Sequence, residues 1–401
     1  MYGSECPDKD VRKATADHAR KSESIHHQKA MIELAQSEDG IPIELSQLDA
    51  DPMLLNCLNG TIDLRTGELL KHDRDHLITK IAPVEYDLNA EHPIWQRFLE
   101  TATDGDHELM SFLQYAAGYS LTGDVSEEKL FFIHGPAASG KSTFIEALKS
   151  VFGDYSKTAD FETFLSRNFV GGIRNDVAEL AGARLVSSIE VDEGKKLAEG
   201  LVKLITGGDT VRARFLYQES FEFIPQFKLW LVANHKPAVN PDDLAMWRRI
   251  IVIPFKHVIP ENERDPQVKA MLKNPKEAGA AVLAWAVQGC LRWQEYGLCV
   301  PKTVRDETED YKKEMDPIKQ FLDECCVIDG SAKTSCHQFT ERFNNWLSDN
   351  YSENEAKTKA QGFSAKLKNL GFKQKSARID DNDGKVVRAW HGFGLKKDDV
   401  T

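Results

Sequence analysis

Residues Gly135-Pro136-Ala137-Ala138-Ser139-Gly140-Lys141-Ser142 satisfy the pattern G-x-x-x-x-G-K-[ST], and Thr143 follows. A chain of this length with average residue usage should contain roughly 0.01 such matches by chance. The chemistry of the pattern is phosphate binding. Glycines let backbone N–H groups wrap phosphate oxygens, and a following helix adds the favourable end of its dipole. Lys141 is expected to reach the β- and γ-phosphates of ATP, and the Ser142 hydroxyl to ligate Mg²⁺. The pattern follows the apolar run LFFIH (130–134) and opens TFIEALKSVF (143–152), which is the strand–loop–helix setting it requires. A glycine-rich turn before a helix is the competing reading.

Triphosphate hydrolysis also needs a carboxylate at the C-terminal end of a neighbouring strand to hold the metal, and often a second to orient water. The run ARLVSSIEVDE (183–193) supplies an apolar strand ending in Glu190, Asp192 and Glu193. Such crowding is reasonable around a divalent cation, whereas without one the like charges repel. Glu193 is the candidate catalytic base; Glu190 and Asp192 share the metal-side role, and nothing in the sequence separates them. A solvated acidic loop is the alternative. Asn234 ends the next apolar run, FKLWLVAN (227–234). A neutral amide there polarises the γ-phosphate or positions the attacking water without adding negative charge, although a lone Asn is an ordinary turn residue. Trp247-Arg248-Arg249 then enters RIIVIPF (249–255). Two arginines at a strand mouth make structural ion pairs, or one serves as an arginine finger reaching a neighbouring subunit's γ-phosphate. The second reading demands a ring.

These groups need a scaffold. Continuous apolar strands of this kind, separated by helices, are expected in a parallel sheet buried on both faces, so the central fold class is α/β. With 401 residues, 41% apolar and 28% charged, the prior is two or three domains with sizeable cores. Residues 1–50 are polar, with a helical stretch around Ile25–Ala35, and read as a linker or helical lead-in. Residues 51–124 read as an α-rich collar: a hairpin over Asn59–His72 turning at Arg65-Thr66-Gly67, a helix opened by Pro93, and a helix over His107–Tyr119. Residues 125–300 hold the phosphate motif and strands, closed by a helix near Ala280–Tyr296. Residues 315–395 begin with a short helix at Ile318–Leu322. A helix then starts at Ser335, whose Ser-x-x-Gln resembles a capping box. A third helix over Ala360–Leu370 and a hairpin turning at Asp380–Gly384 complete the order of a winged-helix domain.

At this point the chain resembles superfamily 3 DNA helicases, in the phage and plasmid primase–helicase branch related to the poxvirus type. The matching runs are GPAASGKST (135–143), LVSSIEVDEGKKL (185–197), KLITGGDTVRAR (203–214), FKLWLVANHKP (227–237) and MWRRIIVIPF (246–255), with LDADPMLLNCLNGTIDLRTGEL (48–69) similar to the branch's helicase N-terminal region. The resemblance implies an AAA+-like core that assembles into a hexameric ring and hydrolyses ATP between subunits while translocating on single-stranded DNA. It further implies Lys141 and Ser142 in the P-loop, Glu193 and the adjacent acids as Walker B, Asn234 as sensor 1, and Arg248 or Arg249 as the finger. The family's DNA-tracking hairpin corresponds to Asp209–Phe227, with Tyr217-Gln218-Glu219 at its tip. Relatives often carry a Lys or Arg at that tip. Here Arg212 and Arg214 lie on an arm and Lys203 in the preceding helix, while Tyr217 is placed to stack on a base. Packing between strands or subunits is the alternative role for Arg212 and Arg214. Many relatives carry a primase–polymerase domain ahead of the helicase, for which residues 1–50 leave no room. Asp104 and Asp106 read as a turn, so no primase activity is expected of this chain, and a separate primase or replication initiator is the candidate partner.

Lys+Arg 51 against Asp+Glu 63 gives a net charge of −12. That argues against a protein that coats DNA through bulk positive charge, but not against one with a local basic channel. In residues 361–391, Lys366, Lys368, Lys373, Lys375, Arg378, Lys385 and Arg388 outnumber Asp380, Asp381 and Asp383. They fall on the third helix and wing, where backbone contacts to DNA are made. A solvated basic face is the other reading, and Lys366 and Lys368 do not share one side of a helix. The seven cysteines include no C-x-x-C. Cys325, Cys326, Cys336 and His337 are poorly spaced for tetrahedral ligation, and free thiols fit a reducing, cytoplasmic interior. No apolar run approaches the roughly 20 residues of a membrane span. Two other function classes compete with a DNA helicase: a P-loop ATPase switch that gates partner binding, and a DNA-binding initiator module without unwinding activity.

Overall fold

The computed structural model describes residues 8–166, 175–189, 195–351, 353–379 and 386–396. It divides into two compact units, Met1–Asp51 with Asp73–Thr79, and Pro52–His72 with Lys80–Thr401. In the first unit, α1 (Lys9–Ser22) and α2 (Ile25–Ala35) are capped by Asp8 and Ser24 and bury no residue. The expected helical stretch is therefore α2, and a second helix precedes it. Asp49 accepts hydrogen bonds from Thr79 N at 2.8 Å and Thr79 Oγ1 at 2.5 Å, joining the two pieces of this unit.

In the second unit, β1 (Leu54–Cys57), β2 (Gly60–Asp63) and β3 (Glu68–Leu70) form an antiparallel sheet, and the turn falls at the expected Arg65–Gly67. Helices α3 (Pro93–Ala102) and α4 (His107–Leu121) follow, started by side-chain caps from His92 and Asp106. The central sheet contains β4 (Leu130–His134), β5 (Ser156–Thr158), β6 (Leu185–Ile189), β9 (Lys228–Ala233) and β10 (Ile250–Pro254), all parallel, in the order β10-β4-β9-β6-β5. β9 and β10 are buried along their whole length, which explains the apolar runs Leu229–Ala233 and Ile250–Pro254. Short β5 has no such run (Ser-Lys-Thr), and sequence reasoning passes over it.

Around the sheet lie α5 (Lys141–Phe152), α6 (Asn175–Ala178), α7 (Glu199–Thr206), α8 (Leu244–Trp247), α9 (Pro266–Lys273) and α10 (Gly279–Tyr296). An exposed hairpin, β7 (Val211–Arg214) with β8 (Ser220–Phe223), projects between β6 and β9 in the sequence. α4 and α10 pack backbone to backbone. A Cβ on Gly118 would lie 2.0 Å from Cys290 N, and one on Gly289 2.0 Å from Gln114 O, so both positions require glycine. Buried Arg184 donates to Leu121 O at 2.8 Å, and buried Lys228 donates to Thr122 O and, at 3.0 Å, to Asp124 O. Arg184 and Lys228 thus satisfy carbonyls at and just beyond the C-terminus of α4, and burial with the nearby Arg184 pushes the Lys228 ammonium well below the ordinary lysine range.

α11 (Lys302–Glu314) crosses back to β10 and leads into α12 (Pro317–Cys325), β11 (Cys326–Ser335), α13 (Cys336–Asn350), α14 (Glu353–Lys359), α15 (Phe363–Asn369), β12 (Lys373–Arg378) and β13 (Val386–Leu395). The strands form an antiparallel sheet in the order β11-β13-β12. Phe321, Phe339, Phe343, Trp390 and Phe393 fill the core between helices and sheet. Ser335 accepts from Gln338 N at 3.3 Å, as its capping role requires. β11 and α14 are absent from the sequence reading: CVIDGSAKTS is mostly exposed and slips register between Ile328 and Lys333, so it never alternates. The expected turn at Asp380–Gly384, with Lys385, lies outside the described residues. Among the described residues no helix is long and apolar enough to cross a membrane.

Candidate functional site

In an open parallel sheet, ligands collect outside the C-terminal strand ends, where successive connections leave in opposite directions. Here the chain leaves β4 toward β5 at one edge and leaves β9 toward β10 at the other, so that point lies between β4 and β9. The loop from Gly135 to Gly140 leaves β4 and turns into α5. A Cβ on Gly135 would lie 2.0 Å from Phe255 O, so the loop lies flat against the end of β10 only because that residue is glycine. Gly140, at φ +90°, is the N-cap of α5 and supplies no side-chain cap, leaving the first-turn N–H groups directed at the cavity. Ala138 takes φ +59°, a conformation that costs about 1–3 kcal/mol for a non-glycine residue.

Lys141 is buried and donates to Gly135 O at 2.8 Å, Pro136 O at 2.5 Å and Ser139 Oγ at 3.3 Å. Burial pushes its ammonium below the ordinary lysine range. Its partners are neutral oxygens, weaker than the charged acceptors an ammonium prefers. The loop opens on a cavity of about 530 Å³ lined by Ala137, Ala138, Ser139, Gly140, Lys141, Ser142 and Thr143, by Ile189 at the end of β6, and by Val232, Ala233, Asn234 and His235 at the end of β9. That volume falls within the ~300–1,000 Å³ of small-molecule sites. Lys269 of α9 completes the lining.

Lys141, Ser142 and Asn234 therefore meet in one cavity, as their spacing in the sequence suggested. One neighbour relation differs from the expectation: β9, not the strand of the acidic run, lies beside β4, and β6 comes next. The chain end of β6 reaches the cavity through Ile189; Glu190, Asp192 and Glu193 lie outside the described residues. Among the described residues no group of His, Cys, Asp and Glu is arranged to hold a metal ion.

The two arginines have different surroundings, and neither lines the cavity of its own chain. Arg249 is 8% exposed, with Nη2 2.9 Å from Glu128 Oε2, Nε donating to Thr206 Oγ1 at 3.2 Å and Nη1 to Ala245 O at 2.7 Å. Arg248 is 62% exposed and reaches the same Glu128 oxygen at 2.9 Å. Sequence alone does not separate them, since both follow Trp247.

On the β7–β8 hairpin, Val211 and Ala213 are buried while Arg212 and Arg214 face outward, Arg212 donating to Ser220 Oγ at 3.0 Å. Tyr217 sits fully exposed at the tip with φ +63°. Lys203 is paired with Asp243 at 2.6 Å and holds that carboxyl below its usual range. Lys366 is paired as well, 2.8 Å from Asp316 and 3.5 Å from Asp242. Lys373, Lys375 and Arg378 are exposed on β12.

Sequence reasoning misses a charge cluster behind the loop. Buried Glu307 of α11 lies 3.1 Å from Lys236 and 2.7 Å from Lys256, and His134 Nδ1 is 3.8 Å away. Burial opposes the ionisation of Glu307, but hydrogen bonds from Lys256 and Lys236 overcome it and hold the carboxyl below its usual range. His134 is lowered to about 4 by burial and then by Lys236, so at neutral pH it is uncharged. These residues end β4, follow β9 and follow β10, and only the sheet order brings them to one helix. No spacing in the sequence signals them.

Two family models match the chain: "D5 N terminal like" over residues 4–104 and "Family of unknown function (DUF5906)" over residues 133–249. Among curated relatives, "Putative helicase L207/L206" of Acanthamoeba polyphaga mimivirus is 27% identical over 78% of this chain and 34% of its own length. "Putative helicase 022R" of Frog virus 3 is 26% identical over 60% of this chain and 26% of its own. "Putative primase C962R" of African swine fever virus is 23% identical over 72% of this chain and 32% of its own. The chain thus spans about a quarter to a third of these relatives. Among solved structures, the A form apo structure of the NrS-1 C terminal region shares the fold at a TM-score of 0.50 and 13% identity, covering 92% of this chain and 90% of that one. Together these matches show a likeness to D5-type proteins and to viral relatives named putative helicases and primases.

Proposed function

We propose that this chain belongs to the D5-like primase–helicase family and is the motor part of a replication helicase, hydrolysing ATP at subunit interfaces of a hexameric ring to move along single-stranded DNA and unwind duplex. One observation carries the reading: Lys141, Ser142 and Asn234, separated in sequence, line one cavity at the C-terminal ends of a parallel sheet. The strand order β10-β4-β9-β6-β5 is the arrangement we take as an AAA+-like P-loop core. Residues 51–124 serve as collar, 125–300 as motor and 315–395 as a winged-helix domain.

The cavity fits a triphosphate. Backbone N–H groups of the loop and of the first turn of α5 bind phosphate oxygens, and Lys141 exchanges neutral carbonyl partners for anionic ones, which strengthens its hydrogen bonds roughly twofold. Ser142, half-buried at the cavity wall, would hold Mg²⁺ together with Glu190 or Asp192. Bound there, Mg²⁺ would neutralise charge on the β- and γ-phosphates. Asn234 orients water or the γ-phosphate by donating its amide N–H, and Glu193 accepts a proton from the attacking water. Arg248 is the finger that enters a neighbouring subunit's site. Arg249 is committed inside its own subunit by three partners, and Arg248 is exposed and free to exchange Glu128 for a phosphate.

DNA contacts are assigned to Arg212, Arg214 and Tyr217 on the hairpin and to Lys373, Lys375 and Arg378 on β12. Lys203 and Lys366, held by carboxylates, act instead as internal ties. Purified chain should hydrolyse ATP, faster with single-stranded DNA, and displace a strand from a fork. ATP hydrolysis with no DNA stimulation at low salt would overturn the helicase reading in favour of an ATPase switch, and a stable monomer with ATP analogue and DNA would overturn the ring.

A further inference from the structure

Lys236 follows Asn234 by two residues and joins the end of β9 to a helix outside the sheet. Its Nζ is 3.1 Å from Glu307 Oε1, and it donates to both carboxylate oxygens of Glu314, at 3.0 and 3.2 Å. Glu307 and Glu314 sit about two turns apart on one face of α11, so the ammonium bridges them lengthwise. The neighbouring residues are fixed to the same helix. Tyr311, fully buried, donates its hydroxyl to Pro237 O, and its ring packs edge-on against Trp247 with centroids 5.1 Å apart. Ala238 N donates to Lys195 O at 2.7 Å, and Ala238 O accepts from Leu197 N at 3.0 Å, which joins the segment to the chain that follows the acidic run. Only His235 stands between Asn234 and Lys236, and both Asn234 and His235 line the phosphate cavity.

What holds Lys236 extends into the C-terminal domain. Glu314 is the last residue of α11, and its carbonyl accepts from Lys359 of α14 at 3.3 Å. Just beyond it, Asp316 caps α12 by accepting from Lys319 N at 3.1 Å and lies 2.8 Å from Lys366 of α15. Glu307 is 9% exposed and anchored by Lys256 as well, at 2.7 Å, whereas Glu314 is 47% exposed. The two acceptors of Lys236 are therefore unlike: one belongs to the interior of the motor, the other to its joint with residues 317–395.

We propose that Lys236 is a positioning residue for Asn234, and that through Glu314 it couples the C-terminal domain to the nucleotide site. The inference rests on the nucleotide-motor reading of Asn234 and adds what sets that amide in place. An ammonium has three donors, so it satisfies two carboxylates at once and is drawn toward whichever comes nearer. A displacement of about 1 Å at Lys236 reaches the amide through one intervening residue, and misplacement of that size costs up to ~100-fold in rate. Movement of the joint changes the hold of Glu314 while Glu307 keeps its own, so Asn234 is shifted and not released.

The test is steady-state ATP hydrolysis by the full chain with saturating single-stranded DNA, giving kcat and KM for single and paired variants. Lys236→Met should lower kcat by ~10-fold or more with KM kept within about twofold, because the lysine is not among the residues lining the cavity. Lys236→Arg, which keeps charge and donors, should recover most of the rate. Glu314→Gln and Lys366→Ala should each lower kcat by ~3-fold, and neither should add to the loss in Lys236→Met. Lys236→Met combined with Asn234→Ala should be no slower than Asn234→Ala alone. Unchanged kcat in Lys236→Met overturns the positioning role, as does a loss that multiplies with that of Asn234→Ala. Unchanged kcat in Glu314→Gln, or a Lys366→Ala loss that multiplies with that of Lys236→Met, overturns the coupling. Where Lys236→Met does not fold, Glu314→Gln paired with Asn234→Ala decides by the same rule, since a half-exposed ion pair contributes little stability. Hydrolysis that still needs Lys141 leaves the motor reading standing in each case. No hydrolysis by the unaltered chain overturns both.

Discussion

Acidification should weaken the fold at the root of the phosphate loop, through His134. Its side chain is 23% exposed, ends β4, and is lowered to about 4 by burial and then by Lys236. In the unfolded chain it titrates near 6.5. The unfolded state therefore binds the proton first. Stability is complete above about pH 6.5 and falls as pH drops toward about 4, after which the His134 contribution is constant. Linkage over that window gives a loss of ~2.5 kcal/mol between about pH 7 and about pH 4.5. That is a large share of a net stability of about 5–15 kcal/mol. Glu307 and Lys236 face the ring; Glu307, held below its usual range, loses its contribution only as pH falls below about 4.5. The assay is urea unfolding followed by tryptophan fluorescence, Trp230 being fully buried in β9, on wild type and His134→Gln at both pH values. Wild type should lose ~2.5 kcal/mol more than the variant on acidification. Parallel losses in the two proteins would refute the reasoning, because the titrating group would then lie elsewhere.

Other expectations follow from the same geometry. Lys141→Ala should reduce ATP affinity by about 100-fold or more, read by equilibrium binding, because the only buried cation in the loop is lost. Arg249→Ala should destabilise by ~1–3 kcal/mol, since a buried side chain and its bond to buried Thr206 are lost, while Arg248→Ala should change stability by under ~0.5 kcal/mol in denaturant unfolding. Mixing Arg248→Ala with Lys141→Ala subunits should restore part of the ATPase, and no rescue would count against a finger acting between subunits. Gly135→Ala drives a Cβ against Phe255 O and should lower the thermal midpoint and abolish nucleotide binding together. Lys373→Ala and Lys375→Ala should each reduce the salt dependence of single-stranded DNA binding by about one phosphate contact, whereas Lys366→Ala should leave that slope unchanged.

The strands and the loop were legible because both are written locally. LFFIH, FKLWLVAN and RIIVIPF are apolar without alternation, which only a strand covered on both faces tolerates, and the glycines and lysine of 135–142 must be contiguous to wrap one phosphate chain. Pro93 at the first helical position and the Ser335 cap likewise fixed helix starts. The misses have one cause. β5 and β11 lack a hydrophobic period because they are short or edge-like, and they are strands only through their partners. Lys269 is an ordinary helical lysine until α9 is laid beside α5 and α3.

What the sequence determined by itself was the residues available: a glycine-rich loop with its lysine, an acidic run, an amide, two arginines, and apolar strands to hold them. What only the tertiary structure decided was adjacency. The order β10-β4-β9-β6-β5 seats Asn234 next to the loop, gathers His134, Lys236, Lys256 and Glu307 at one helix, and separates Arg249, enclosed by three partners, from Arg248, open to solvent. The physical reason is that strand order and burial arise from long-range packing. Neighbouring residues of the same type, such as Arg248 and Arg249, carry no local signal of which side of the surface they will face.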